Sequence, residues 1–286
     1  MGRWNIRWSI LLVLWCVTGV KLAAMKVESL DRGWFFNRGY ESQAADKVTV
    51  DLPHTWNAAD AMFGNVNYYR GMSTYSRFIV VPSSENFKRV FLRVKAAQTV
   101  ADVYLDNHFV AQHKGGYTSF TVELTHLIRR GEKQKLDIRV SNAQTMEIAP
   151  ICGDFNIWGG LNRGVELLYT DDACIDPTFY GSSGVFFTQY NVSEKYAGLE
   201  MKALLSGTEM ALNDCSIEFS LLDAKHKVVW CKETSVSGKE ALVKMELNNP
   251  HLWDGVNDPY LYTGVVVLKR GGKEIDRREE HVGFRF

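Results

Sequence analysis

Along almost the whole of this 286-residue chain, apolar residues recur at every second position. Val90, Leu92 and Val94 alternate with Phe91, Arg93 and Lys95; Val103 and Leu105 alternate with Tyr104 and Asp106; Leu136, Ile138 and Val140 alternate with Asp137, Arg139 and Ser141. Ile217, Phe219 and Leu221 repeat the pattern, as do Ala241, Val243, Met245 and Leu247. A period of two puts successive side chains on opposite faces, so one face of each segment is apolar and the other polar. Half-buried antiparallel strands have that property and amphipathic helices do not. Turn signals separate the segments: Asp106-Asn107, Lys114-Gly115-Gly116, Arg130-Gly131, Asp223-Ala224-Lys225 and Arg270-Gly271-Gly272. Many short strands at this spacing predict an all-β chain of sandwiches.

The chain divides near Asp176-Pro177, which predicts one domain over residues 25–175 and a second over 176–286. Before the division lie long loops rich in aromatic residues: Asp31 to Tyr40, Asp51 to Tyr69 and Gln144 to Arg163. After it the strands are regular and the loops short over roughly a hundred residues, the size of an immunoglobulin-like sandwich. Apolar residues make up 46% of the chain, enough for each domain to bury an ordinary core. The formal net charge is zero, which argues against a nucleic-acid partner, since such partners need a basic face.

Residues 1–24 are expected to be a signal peptide rather than part of the fold. Arg3 and Arg7 precede a continuous apolar stretch from Trp8 to Val20, about thirteen residues long, which fits a signal-peptide core and is short for a bilayer span. Cleavage is expected near Ala24, and export to the periplasm or medium follows. The bulky Trp15 before Cys16 argues against a lipoprotein anchor. No later segment is apolar enough to span a membrane. Of the five cysteines, four remain after the leader: Cys152, Cys174, Cys215 and Cys231. They lack zinc-ligand spacing. Cys215 and Cys231 flank a hairpin at unequal offsets, so they are expected to be free thiols.

Three stretches carry candidate chemistry. In Asp51-Leu52-Pro53-His54-Thr55-Trp56-Asn57, followed by Tyr68-Tyr69-Arg70-Gly71, an aromatic-rich loop either presents a stacking face to a sugar or covers the sandwich end with Trp56 and Tyr69. Val100 to Phe120 reads as a hairpin turning at Asp106-Asn107, then a glycine pair before Tyr117. In Gly153-Asp154-Phe155-Asn156-Ile157-Trp158-Gly159-Gly160-Leu161-Asn162-Arg163-Gly164-Val165, a lone acid lies among aromatics. Asp154 is either a hydroxyl or cation ligand or the head of an Asx-turn.

These stretches, in this order, resemble the sugar-binding jelly-roll domain of glycoside hydrolase family 2, which includes β-galactosidases, β-glucuronidases and β-mannosidases. Gly181-Ser182-Ser183-Gly184-Val185, then His251-Leu252-Trp253-Asp254 with Asp258-Pro259-Tyr260-Leu261-Tyr262, resemble the family's immunoglobulin-like domain. His281-Val282-Gly283-Phe284-Arg285 is similar to the strand that leads into the family's catalytic barrel. The resemblance implies a galactose-binding-like jelly-roll sandwich followed by an immunoglobulin-like β-sandwich.

The family's two catalytic glutamates sit at strand ends of a (β/α)₈ barrel, held about 5 Å apart in retaining enzymes. The sequence stops at Phe286, and none of its acids matches a catalytic motif, so no catalytic residue is transferred and the chain alone is expected to be inactive. The resemblance does imply substrate contacts. Asp154 matches an aspartate that holds galactose hydroxyls and helps bind a monovalent cation, and Asn67 is the approximate match for an asparagine that reaches the same sugar. Trp158 joins them as a stacking surface. The chain itself is expected to need no cofactor, with a monovalent or divalent cation entering only in the completed enzyme. Arg163 is expected to anchor its loop, although Gly164 stands where the family carries an acid. The expected ligand is a carbohydrate, a β-galactoside-like glycan, and a separate chain could supply the barrel. A free-standing carbohydrate-binding module and a decayed structural fragment are the alternatives.

Overall fold

The computed structural model describes residues 25–39, 48–60, 69–84, 86–149 and 157–286. The leader with Cys16, and also Asn67, Cys152 and Asp154, lie outside the described residues.

The period-two segments become strands of a first sandwich. One sheet has the order β3 (Val48–Val50), β2 (Trp34–Arg38), β4 (Met72–Val80), β9 (Lys133–Ser141), β6 (Val100–Leu105) and β7 (His108–Lys114). The other has β1 (Lys26–Ser29), β10 (Val165–Thr170), β5 (Arg89–Val94) and β8 (Phe120–Glu123). Neighbours in both sheets are antiparallel. The apolar faces meet in one core, where Leu92, Val94, Val103, Leu136, Ile138 and Val140 pack with Trp34 and Tyr75. Between β6 and β7, Asp106 and Asn107 take φ of 48° and 67°. Two successive left-handed residues make the tight hairpin turn that the pair Asp-Asn favours.

The outer face of the four-stranded sheet departs from the alternation. Phe91, expected opposite the apolar face, is fully buried, and β10 is buried at every position. Phe91 and Leu168 pack there with Cys174 and Met25. The second sandwich covers this face, so both faces of β10 are interior.

That second sandwich pairs β14 (Cys215–Leu222) with β15 (Val228–Ser235) and β17 (Tyr262–Arg270), and β17 with β18 (Lys273–Val282). Its other sheet centres on β13 (Tyr196–Ser206), which pairs with β12 (Val185–Tyr190), β16 (Glu240–Asn248) and the short β11 (Cys174–Ile175). A single turn of helix, α1 (Glu209–Asn213), starts at Thr208, whose hydroxyl accepts a 3.2 Å bond from Ala211 N–H. Ile217, Phe219, Leu221, Val243 and Met245 form the core, with Tyr260 packed against it. Trp253 lies instead under the Arg285 guanidinium, 5.6 Å from its carbon to the ring centre. Cys215 is buried, Cys231 exposed, and both are free; Cys231 stands opposite Ser220, so the hairpin register keeps the two thiols apart. Among the described residues no helix is long and apolar enough to cross a membrane.

Ionic contacts fix the junction of the sandwiches. Arg89 on β5 makes a two-point bond to Glu123 (2.9 and 2.7 Å) and reaches Ser206 Oγ on β13 at 2.9 Å. Arg270 bonds Asp171 at 3.3 Å and Asp172 at 2.5 Å, just before the chain enters β11. The fully buried Asp276 accepts from Ile175 N–H at 2.8 Å and pairs with Arg278. Burial nonetheless holds the Asp276 carboxyl above its ordinary range, and burial pushes the Cys174 thiol up to about 12. Contacts on both sides of the crossover hold the two sandwiches in one arrangement.

Candidate functional site

Three loops converge at one end of the first sandwich, and two buried asparagines tie them together. Asn57 Nδ2 donates to Asp60 Oδ2 (2.7 Å) and to the Tyr69 carbonyl (3.0 Å), and its Oδ1 accepts from Gly159 N–H (2.7 Å). Asn142, immediately after β9, donates to Asn57 Oδ1 (3.3 Å), the Tyr69 carbonyl (3.2 Å) and the Ile157 carbonyl (3.0 Å), and accepts from Gly71 N–H (2.9 Å). Asp60 Oδ2 also accepts from Tyr69 N–H at 3.0 Å. Both asparagines are fully buried. An amide side chain can serve loop carbonyls and N–H groups at once, so irregular backbone is satisfied without secondary structure. Backbone bonds extend the clamp: His54 N–H to Leu161 (2.9 Å), Trp56 N–H to Gly159 (3.2 Å) and Gln98 N–H to Gly160 (3.0 Å).

Of the two roles open to Trp56 from the sequence, a stacking face or a cover for the sandwich end, it takes the second. Trp56 is 5% exposed, stacked on Phe36 at 6.1 Å and edge-on to Tyr69 at 6.2 Å. It closes the sandwich end. The reason lies in Gly159: a Cβ there would fall 2.0 Å from Trp56 Cζ2, so only glycine lets the loop lie flat on the indole. Gly160, at φ 135°, is just as close to its neighbours, with His54 O 2.4 Å from where a Cβ would sit. The pair turns the chain so that Trp158 stays 47% exposed. Trp158 lines a cleft of about 370 Å³ with Pro53, His54, Thr55 and Asn162. Asn162 Nδ2 donates to the Trp158 carbonyl at 3.2 Å, and Thr55 Oγ1 to the Gly159 carbonyl at 2.8 Å. His54 Nδ1 and Tyr75 OH share a 2.7 Å hydrogen bond; burial lowers the His54 pKa from 6.5 and raises that of Tyr75 from 10.0, so both are neutral at pH 7.

Asp154 and Asn67 lie outside the described residues. Their described neighbours in sequence, Ile157 and Tyr69, offer their carbonyls to the same donor, Asn142 Nδ2. The loop that Arg163 is expected to anchor lies partly outside the described residues. Arg163 is exposed and makes no hydrogen bond or ion pair among the described residues. The described anchor is Asp31, on the opposite loop. Its Oδ1 accepts from Val165 N–H at 2.8 Å and would be 2.7 Å from a Cβ at position 164. The Asp31 carboxylate thus occupies the space beside Gly164. Among the described residues no group of three His, Cys, Asp or Glu side chains could hold a metal ion. Sequence reasoning missed Asn142, Asp60 and Asp31. The spacing Asn57-x-x-Asp60 is a local polar-turn signal, whereas nothing local marks Asn142 or Asp31.

Comparison with known proteins agrees with this architecture. Residues 27–171 match the description "Glycosyl hydrolases family 2, sugar binding domain", and residues 184–285 match "Glycosyl hydrolases family 2". A β-glucuronidase of Bacteroides fragilis is 36% identical over 263 residues, which make up 90% of this chain and 37% of that protein. A β-galactosidase of Thermoanaerobacter pseudethanolicus is 26% identical over 241 residues, 82% of this chain and 31% of its own length. A crystal structure from Bacteroides fragilis superposes with a TM-score of 0.86 at 29% identity, covering 92% of this chain and 41% of that one. The chain therefore spans well under half the length of each of these proteins. It belongs to glycoside hydrolase family 2 and carries that family's sugar-binding jelly-roll domain followed by its immunoglobulin-like domain.

Proposed function

We propose that the loops tied by Asn57 and Asn142 hold the sugar of a β-galactoside-like glycan for a family 2 glycoside hydrolase. Trp158 is the stacking surface, and Asp154 and Asn67 contact hydroxyls. Asp154 also gives one oxygen to a cation site that residues outside this chain complete. The observation that carries the reading is the cleft over Trp158: a half-exposed indole on a pinned loop, flanked by the amide of Asn162 and the hydroxyl of Thr55. Such a mix suits a pyranose, which has an apolar C–H face and a rim of hydroxyls. Bond cleavage is assigned to a pair of carboxyl groups in a catalytic domain that these 286 residues do not include, supplied by further sequence or by another chain. The apolar leader directs export to the periplasm or medium.

Calorimetry with methyl β-galactoside and methyl β-glucuronide tests the reading, the second sugar because the similar Bacteroides fragilis protein is a β-glucuronidase. Millimolar binding of the galactoside, weakened about tenfold by Trp158→Ala, is expected. Tighter binding of the glucuronide reassigns the sugar. Binding that is indifferent to Trp158 refutes the site.

A further inference from the structure

A second cleft, of about 580 Å³, opens where the two sandwiches meet, between β7, β8 and the connecting segment from Asp176 to Gly181. Its size falls within the range of small-ligand sites. β7 and β8 are edge strands of the two facing sheets, so the cleft runs along the open side of the first sandwich. On one wall Phe120 stacks on His113, ring centres 4.4 Å apart. On the other, Phe179 packs edge-on against Phe186 (5.9 Å) and Tyr180 (4.9 Å). Neutral hydrogen-bonding groups fill the rim: Gln112, Thr118, Ser119, Thr121 and Thr178. Asp176 is the one carboxylate among the described lining residues, and no lysine or arginine is among them.

Tyr180 does not fit a purely structural role. It takes φ 47°, a left-handed conformation that a bulky residue adopts at a cost and that turns usually give to Gly, Asn or Asp. Burial does not compensate, because the side chain is 89% exposed. The turn is nevertheless firmly held. Ser182 N–H and Oγ both donate to the Phe179 carbonyl (2.9 and 2.7 Å), Ser119 Oγ donates to the Gly181 carbonyl (2.9 Å), and Thr178 bonds Asp176 Oδ1 through N–H (2.8 Å) and Oγ1 (2.6 Å). The result is a firmly held turn that displays an aromatic ring at the mouth of the cleft. The cleft is also joined to the Trp158 loop. Gly160 accepts from Gln98 N–H, and the Gln98 side chain rests on Gly116, where a Cβ would be 2.7 Å away. Tyr117, 64% exposed, follows directly and leads into the lining residue Thr118.

We propose that this cleft is a second carbohydrate subsite, taking a neutral hexopyranose unit of an oligosaccharide whose other end reaches the Trp158 loops. Tyr180 and Phe179 offer rings to the apolar sugar face, while Gln112 and the hydroxyls meet the rim. With Asp176 the one carboxylate and no lysine or arginine among the described lining residues, the cleft suits a neutral sugar better than a uronate, sulfate or phosphate. The inference rests on the reading of the Trp158 loops as a sugar site and specifies its substrate as an extended glycan.

Calorimetry and NMR on the full chain test it, with galactose, β-linked galactotetraose and a uronate tetrasaccharide as probes. The galactotetraose is expected to bind more tightly than galactose and to shift the Tyr180, His113 and Gln112 resonances. Tyr180→Ala should weaken the tetrasaccharide about tenfold and leave galactose unchanged, with Tyr180→Phe near wild type. Gln112→Ala should weaken the tetrasaccharide as well. The exposed position of Tyr180 means that thermal melting should not change. Wild-type affinity for the tetrasaccharide in both Tyr180→Ala and Gln112→Ala overturns the subsite, as does equal binding of the uronate tetrasaccharide. Failure of the Trp158 reading is seen separately, as galactose binding unaffected by Trp158→Ala.

Discussion

The contact between Gly159 and Trp56 gives the sharpest quantitative test. In Gly159→Ala the new Cβ would fall 2.0, 2.2 and 2.7 Å from Trp56 Cζ2, Cε2 and Nε1. Carbon atoms settle at about 3.5–4.0 Å, so something must retreat by roughly 1.5 Å. Trp56 has little room to do so, being buried between Phe36 and Tyr69 with its Nε1 donating to the Tyr69 carbonyl. If the loop withdraws instead, it loses the bonds of Gly159 N–H to Asn57 (2.7 Å) and of Thr55 Oγ1 to the Gly159 carbonyl (2.8 Å). Overpacking and a strained buried hydrogen bond each cost about 1–3 kcal/mol, which puts the variant near 3 kcal/mol of destabilisation. For a sandwich of this size that is about 6–12 °C in melting temperature, read by differential scanning calorimetry. Trp56→Phe shortens the offending ring, so the double variant should be about 1 kcal/mol or more better than the sum of the singles. A Gly159→Ala chain that melts within about 1 °C of wild type would show that the loop does not lie on Trp56, and the site geometry built on that contact would fail.

Asn142→Ala strands the buried Ile157 carbonyl and the Gly71 N–H and removes one of the three donors to the Tyr69 carbonyl, and should cost about 2–4 kcal/mol in urea unfolding; a loss below about 1 kcal/mol contradicts the knot. Gly164→Ala pushes against Asp31 Oδ1 and should cost about 1–2 kcal/mol, most of which disappears in an Asp31→Ala background; an undiminished cost there rules out Asp31 as the contact. The bond from Arg89 holds the Glu123 carboxyl below its ordinary value of 4.5, so its contribution is complete above that pH and is lost as pH falls through the lowered value. Melting temperature should therefore drop on acidification below pH 4.5, and less steeply in Glu123→Gln; equal slopes refute the assignment. The purified chain should give background rates with nitrophenyl β-galactoside and β-glucuronide, and turnover at enzymatic rates contradicts the proposed division of labour.

Local chemistry made much of the fold legible. The alternation in Leu136, Ile138 and Val140 needs no tertiary knowledge, and Asp106-Asn107 names its own turn. What escaped was set by packing between distant segments. Phe91 looks like an exposed residue on an alternating strand, and partners distant in sequence, Met25, Leu168 and Cys174, bury it. Trp56 and Trp158 are equally aromatic and equally loop-borne in sequence; the missing side chain of Gly159, about a hundred residues from Trp56, decides which is buried. Asn142 reads as an ordinary polar residue after a strand, because the carbonyls it satisfies come from two other loops. The carboxylate that supports Val165 comes from Asp31, 134 positions earlier, a partner that no local motif records. Tyr180 is hidden for a related reason: its unusual φ depends on the grip of Ser119 and Ser182 on the neighbouring peptide groups.

If the pinned loop presents Trp158 to a sugar, its indole N–H must sense the ligand. Proton–nitrogen NMR of the tryptophan indoles during titration with methyl β-galactoside tests this most directly. A saturable shift of the Trp158 indole N–H is expected, with the buried Trp34 and Trp56 indoles unmoved. A titration that leaves Trp158 in place, or that moves Trp56 instead, contradicts it.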